Sequence, residues 1–359
     1  MLINKKKFKT IWYNNSKDNV QIIDQTKLPF TFEIVSLNVL EDVLVAIKNM
    51  KVRGAPLIGA TAAFGMYLAL KETNSVKKIY EAANKIKKTR PTAVNLFWAV
   101  DKMLSKIDMN NSLNKNKEIL LSEAKKICEE DIDKCKKIGQ NGLNLIKKIA
   151  RKKSEVNILT HCNAGWLATV DWGTATAPIY YARDNNINIH VWVDETRPRN
   201  QGSSLTSYEL NNERINNTII TDNTAGLLMQ RGKIDLCLVG ADRVTSNGHV
   251  ANKIGTFLKA VIAKEFNIPF YVAIPTNTID WEITDYNDIL VEERDSNELS
   301  TLEGLDENNK LKTISIYPKE SKVYNPAFDI TPNKFVDALI TEKGIVRARK
   351  DEIIKLKDG

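Results

Sequence analysis

The chain has 359 residues, 43% of them hydrophobic and 27% charged, enough apolar material for about two packed domains and too much for a disordered chain. Its 52 basic and 44 acidic residues leave a net charge of +8, yet the lysines sit on helix faces such as "KKIYEAANKIKK" and form no arginine-rich stripe with interleaved aromatics. That distribution favours solubility and an anionic small molecule, and argues against nucleic acid as a partner.

In chain order, the basic start "MLINKKKFK" is followed by polar residues, and no uninterrupted apolar run approaches ~18 residues. Neither a secretory leader nor a membrane span is therefore expected. "TIWY" and "VQIID" alternate enough to predict short strands of a small antiparallel sheet. From about residue 39 to 150 the apolar spacing becomes helical, through "LNVLEDVLVAIKNM", "PLIGATAAFGMYLALKE", "PTAVNLFWAVDKMLSKI" and a long segment from about 117. In that last segment Cys128 and Cys135 lie seven apart on one face and read as core, while "GQNG" (139–142) marks a possible break. With no CxxC pair among four cysteines and only three histidines, no metal or other cofactor is expected, and a reducing cytoplasm fits best.

The rhythm changes near residue 154. Short apolar runs, "VNILT", "NIHVWV", "NTIIT", "DLCLVG" and "PFYVAI", recur with helical patterns between several of them. Such alternation predicts a doubly wound parallel sheet covered on both faces, hence an α/β protein. The charged "ARKKSE" (150–155) divides a mostly helical N-terminal domain (1–150, including the long connecting helix) from the sheet domain (151–359). The closing "ARKDEIIKLKDG" reads as a solvated terminus.

Open α/β sheets bind ligands beyond the carboxyl ends of their strands. Here those ends carry Cys162-Asn163-Ala164-Gly165, "DETRPRNQG" (194–202), Asp222-Asn223, Gly240-Ala241-Asp242-Arg243 and Thr276-Asn277. Cys162 is either a small core residue or a reactive thiol, and a helix N-terminus beside it would favour the thiolate. Asp242 either caps or pairs locally, or is a carboxyl group kept protonated by the apolar "LCLVGA", which would make it a general acid. Asp222, before "NTAGLLMQRG", reads as a helix cap.

Three helix starts offer anion sites. In "VRGAPLIGA" the N–H groups of Gly54 and Ala55, the helix dipole and Arg53 converge ahead of Pro56. "TRPTAVN" repeats the idea with Arg90 before Pro91, and "VANKIGT" places Asn252 and Lys253 before a helix. No P-loop is present, and the glycines of "GADRVTSNGHVANKIG" do not form G-x-G-x-x-G. Acid–base chemistry on a sugar phosphate, without metal or nucleotide, is the natural inference.

"RGAPLIGA", "RPTAVN", "THCNAG", "ETRPRNQG", "TDNTAG", "GADRV" and "NGHVANKIGT" occur in the order that resembles the S-methyl-5-thioribose-1-phosphate isomerase family. That family belongs to the wider group containing the regulatory alpha, beta and delta subunits of translation initiation factor 2B. The resemblance runs from "IDQTKLP" to "ALITEKGIV" and implies a helical N-terminal domain, a Rossmann-like catalytic domain and a homodimer. It implies conversion of methylthioribose 1-phosphate to methylthioribulose 1-phosphate in methionine salvage. By motif, Cys162 and Asp242 are the implied catalytic residues. Arg53, Gly54, Ala55, Arg90, Gln201, Asn252 and Lys253 are the implied substrate contacts.

Departures from the family pattern leave the 5-substituent open. Ser204 stands where relatives commonly carry arginine, Trp166 follows "THCNAG", Trp172 lies in "VDWGTATAP", and His249 replaces a usual acidic residue. All are expected near the pocket. Related isomerases act on 5-deoxyribose 1-phosphate or ribose 1,5-bisphosphate, and a further alternative is a non-catalytic regulatory subunit, whose relatives generally lack the Cys and Asp pair.

Overall fold

The computed structural model describes residues 1–73, 75–90 and 93–357. A three-stranded antiparallel sheet, β1 (Ile11–Asn14), β2 (Asn19–Ile23) and β3 (Ile34–Leu37), opens the fold with β2 in the middle. Five helices follow: α1 (Leu40–Lys48), α2 (Ala55–Glu72), α3 (Lys78–Thr89), α4 (Val94–Leu104) and α5 (Leu113–Ala150). Helix α2 is apolar nearly all round and buried along most of its length, so it forms the centre of this bundle.

The expected break at "GQNG" does not occur: α5 runs unbroken for 38 residues. Its glycines are there for close approach instead. A side chain at Gly142 would stand 2.5 Å from Pro178 Cγ, and one at Gly139 would stand 2.5 Å from the Tyr181 ring. Both contacts belong to α6 (Ala177–Asp184), which packs along α5. Cys128 and Cys135 are buried on α5, as their spacing predicted.

The remaining chain builds a seven-stranded sheet from β4 (Val156–Thr160), β5 (Ile189–Asp194), β6 (Asn217–Ile220), β7 (Leu236–Val239), β9 (Phe270–Ala273), β10 (Ala338–Thr341) and β11 (Gly344–Val346). The order across the sheet is β11-β10-β9-β7-β4-β5-β6. All neighbours run parallel except β10 and β11, so the expected α/β sheet is present with one antiparallel edge. Central strands such as β7 are buried throughout, because helices cover both faces. From β4 the chain winds outward through β5 to β6, then returns to wind the other way through β7, β9 and β10. The reversal falls between β4 and β7, and a ligand crevice opens at such a point. Strand β8 (Val250–Lys253) lies in a small second sheet beside it.

The C-terminal stretch is not wholly solvated. Ala348, Ile353 and Leu356 are buried in the apolar cluster on one face of the sheet, which anchors the tail; residues 358 and 359 lie outside the described residues.

Candidate active site

All nine residues picked out above line one cleft of roughly 660 Å³ including its mouth: Arg53, Gly54, Ala55, Arg90, Cys162, Gln201, Asp242, Asn252 and Lys253. They come from both regions of the chain, and the cleft opens at the sheet's point of reversal.

Cys162 follows β4 in a left-handed conformation, φ 65°, unusual for a residue with a side chain. Three bonds hold it there. Its N–H donates to Thr196 Oγ1 at 2.8 Å, and its carbonyl accepts from the Thr206 hydroxyl at 2.7 Å. Its thiol donates to Gln201 Oε1 at 3.4 Å. Burial pushes the thiol's pKa up, while the charges of Arg53 and Lys253 pull it down. The helix N-terminus that would favour a thiolate is missing, because only a single 3₁₀ turn, Trp166–Ala168, follows. Burial therefore opposes ionisation of this thiol, and the two cations oppose burial.

Asp242 stands just past β7, its N–H bonded to Ala251 O at 3.0 Å. A side chain at Gly240 would meet Ala164 Cβ at 2.5 Å, so glycine lets the loops after β7 and β4 touch. Burial raises the Asp242 carboxyl above the ordinary carboxylate range. Lys253, Arg90 and Arg53 oppose the rise and Glu292 adds to it. The Lys253 ammonium is itself lowered by burial, against the attraction of Cys162 and Asp242. Three cations thus converge on one partly protonatable acid, an arrangement suited to an anionic substrate that needs a proton.

The start of α2, expected to offer an anion site, is tightly built. Gly54 precedes the helix with φ 88°, and a side chain there would meet Ala168 O at 2.5 Å. Arg53 donates through one terminal nitrogen to Asn163 O at 2.7 Å and through the other to Asn163 Oδ1. Arg90 does not repeat this design. It is the residue capping the C-terminus of α3, paired with Glu292 at 3.4 Å, and α4 begins only at Val94. Pro91, which suggested a helix start, lies outside the described residues. Asn252 and Lys253 end β8, and Asn252 Nδ2 donates to Thr256 Oγ1 at 3.0 Å at the start of α8 (Thr256–Glu265).

Other expectations change. Asp222 caps no helix; its two carboxylate oxygens accept the N–H groups of Thr196 and Arg197, both at 2.8 Å, and so shape the loop after β5. Trp166 is fully buried in the core, Trp172 stacks on Tyr181, and His249 packs on Tyr286, so none lines the cleft. Ser204 does lie close, in an adjoining groove that shares Met50, Arg53 and Gln201 with the cleft.

Three residues given no role of their own from sequence also stand in or behind the cleft: His161, Asn163 and Glu209. His161 lines the cleft, with Nδ1 2.9 Å from Asp194 and Nε2 2.8 Å from Ile254 O, and it ties β4 to the turn bearing Lys253. Asn163 and Glu209 form a buried chain behind Arg53. Position beside Cys162 was a signal for the first two; Glu209, inside "SYELNN", gave none. His161, Asp194 and Asp222 bring their ligand atoms within 4.8 Å of one another. Asp194 Oδ2 already pairs with Lys259 Nζ at 3.2 Å, and both Asp222 oxygens accept backbone N–H groups.

Residues 51–348 match the model of the Initiation factor 2 subunit family. The methylthioribose-1-phosphate isomerase of Methylorubrum extorquens is 48% identical over 99% of this chain and 98% of its own. That of Escherichia coli is 48% identical over 98% and 95%. The crystal structure of 5-methylthioribose 1-phosphate isomerase from Pyrococcus horikoshii superposes with a TM-score of 0.84 at 38% identity, covering 98% of this chain and 96% of that one. A structure from A. fulgidus titled translation initiation factor eIF-2B, subunit delta, gives 0.77 at 41% identity, covering 95% and 96%.

Proposed function

The chain belongs to the initiation factor 2 subunit family, and we propose that it works there as a methylthioribose-1-phosphate isomerase. It converts S-methyl-5-thio-α-D-ribose 1-phosphate to S-methyl-5-thio-D-ribulose 1-phosphate, an aldose–ketose isomerisation in methionine salvage. The observation that carries this reading is the cleft itself. A carboxyl group raised toward its acid form and a buried thiol face one space, ringed by three cations and the N-terminus of α2.

Phosphate on the anomeric oxygen blocks the ring opening that a free aldose undergoes, so the enzyme must drive it. Asp242 donates its proton to the ring oxygen as the C1–O bond breaks, and the positive charge left at C1 is shared by the phosphate-bearing oxygen. A hydride then moves from C2 to C1. The proton released from the C2 hydroxyl returns to the Asp242 carboxylate and restores the acid. Cys162, buried and bonded to Gln201, closes and shapes a dry pocket around C1 and C2 on this route. Arg53, with the N–H groups of Gly54 and Ala55, takes the phosphate. Arg90, Gln201, Asn252 and Lys253 hold the sugar.

The same reading gives a homodimer working in the cytoplasm. It keeps 1–150 as the domain contributing the phosphate end, and 151–359 as the domain contributing acid and thiol. No helix among the described residues is long and apolar enough to cross a membrane.

The test is a substrate panel: methylthioribose 1-phosphate, 5-deoxyribose 1-phosphate and ribose 1,5-bisphosphate, each followed by NMR for the ketose. Turnover chiefly of the first supports the assignment. Preference for another moves the specificity to the groove beside Ser204, and turnover of none by the folded protein favours a regulatory subunit.

A further inference from the structure

We infer that Glu209 is a positioning residue for substrate phosphate, acting through Asn163 to fix the Arg53 guanidinium at the head of α2. The inference rests on the isomerase reading of the cleft. Glu209 itself lies in α7 (Ser207–Asn212), is completely buried, and does not line the cleft.

The chain of bonds fixes its direction. Glu209 Oε1 accepts from Asn163 Nδ2 at 3.0 Å and from the Leu167 N–H at 2.8 Å. Its Oε2 accepts from the Trp166 N–H at 3.1 Å and from the Tyr180 hydroxyl at 3.2 Å. Four donors on two oxygens are what a carboxylate takes, and what a carboxamide cannot match. The Asn163 amide also donates to Thr206 Oγ1 at 3.2 Å. That hydroxyl spends its own hydrogen on the Cys162 carbonyl, 2.7 Å away, and so can only accept from Asn163. Both hydrogens of the Asn163 amide are therefore used on one side, which turns its Oδ1 toward Arg53.

Arg53 gives one N–H to that Oδ1 and another to the Asn163 carbonyl, which leaves three of its five donors for an anion. Reversing the Asn163 amide would set N–H against N–H and turn the guanidinium away. Burial raises the Glu209 pKa to about 7 against these donors and Arg53, and through Asn163 the group supports a cation that it does not touch. The geometry spans the fold, because Arg53 precedes α2 while Asn163 follows β4. No side chain fits at Gly165, where Glu209 closes against the backbone.

The experiment compares Glu209→Gln, Asn163→Ala and Arg53→Ala with the unchanged protein, measuring kcat, KM and inhibition by inorganic phosphate. Turnover by the unchanged protein checks the isomerase reading separately. Glu209→Gln should raise KM and the phosphate inhibition constant by about tenfold, with kcat within about twofold. In an Arg53→Ala background the same change should have no further effect, since its route is gone. Asn163→Ala should weaken phosphate inhibition to a similar degree, and serves alone should Glu209→Gln fail to fold. A full additional loss in the Arg53→Ala background, or unaltered phosphate inhibition in Asn163→Ala, would overturn the inference.

Discussion

The thiol of Cys162 donates to Oε1 of Gln201 at 3.4 Å, inside a cleft where burial raises its pKa. A thiol of this kind should be alkylated slowly by iodoacetamide at neutral pH, faster as pH rises, and more slowly when substrate fills the cleft. Peptide mass spectrometry reads this residue by residue. Rapid modification at pH 7 would show that a thiolate rests there instead.

Asp242 acts in its protonated form in this account, and its pKa is raised. Activity must therefore fall as pH rises through that raised value, giving kcat/KM an alkaline limb. The nearby negative charge of Glu292 contributes to the rise, so Glu292→Gln should move the limb to lower pH. A limb unmoved in that variant, measured over a pH series with folding checked at each point, would separate it from Asp242.

Asp131 lies buried on α5, its Oδ2 accepting from the Val170 N–H at 2.7 Å, and burial raises its pKa to about 7. A folded value above the unfolded one gives stability that is complete below about pH 4 and is lost as pH rises through about 7. Asp131→Asn should accordingly match the parent near pH 4 and exceed it at pH 8, by at most ~4 kcal/mol. Urea unfolding at both values decides the matter; an equal gap at both would contradict it.

Gly142→Ala sets helix propensity against packing. Alanine favours an isolated helix by ~1 kcal/mol. At this position its Cβ would press on Pro178 at 2.5 and 2.9 Å, and overpacking costs ~1–3 kcal/mol. The variant should melt lower than the parent, and a higher midpoint would mean that α6 yields easily.

What could be read from sequence followed from whether local chemistry or tertiary contact decides the outcome. Runs such as "DLCLVG" announce strands covered on both faces, and the sheet follows from their repetition. Cys162 and Asp242 could be located because ligands gather at strand ends. "GQNG" misled because a glycine that breaks an isolated helix also lets two helices touch, and Pro178 and Tyr181 are far along the chain. Asp222 looks like a cap from its neighbours alone, while its carboxylate in fact serves backbone from another strand end. Glu209 in a short polar helix resembles any solvated glutamate until Asn163 and Tyr180 surround it. Trp166 follows "THCNAG" in sequence yet turns into the core.

The central claim is that this chain isomerises methylthioribose 1-phosphate, with Asp242 as the acid in a pocket that Cys162 closes. The most direct measurement is NMR detection of the ketose in deuterated water, with the unchanged protein beside Asp242→Asn and Cys162→Ser. The account predicts turnover by the parent with no solvent deuterium at C1, and loss of at least about a hundredfold in Asp242→Asn, the scale of a missing general acid. Cys162→Ser should also be strongly impaired. Undiminished turnover in Asp242→Asn, or none in the folded parent, would contradict it.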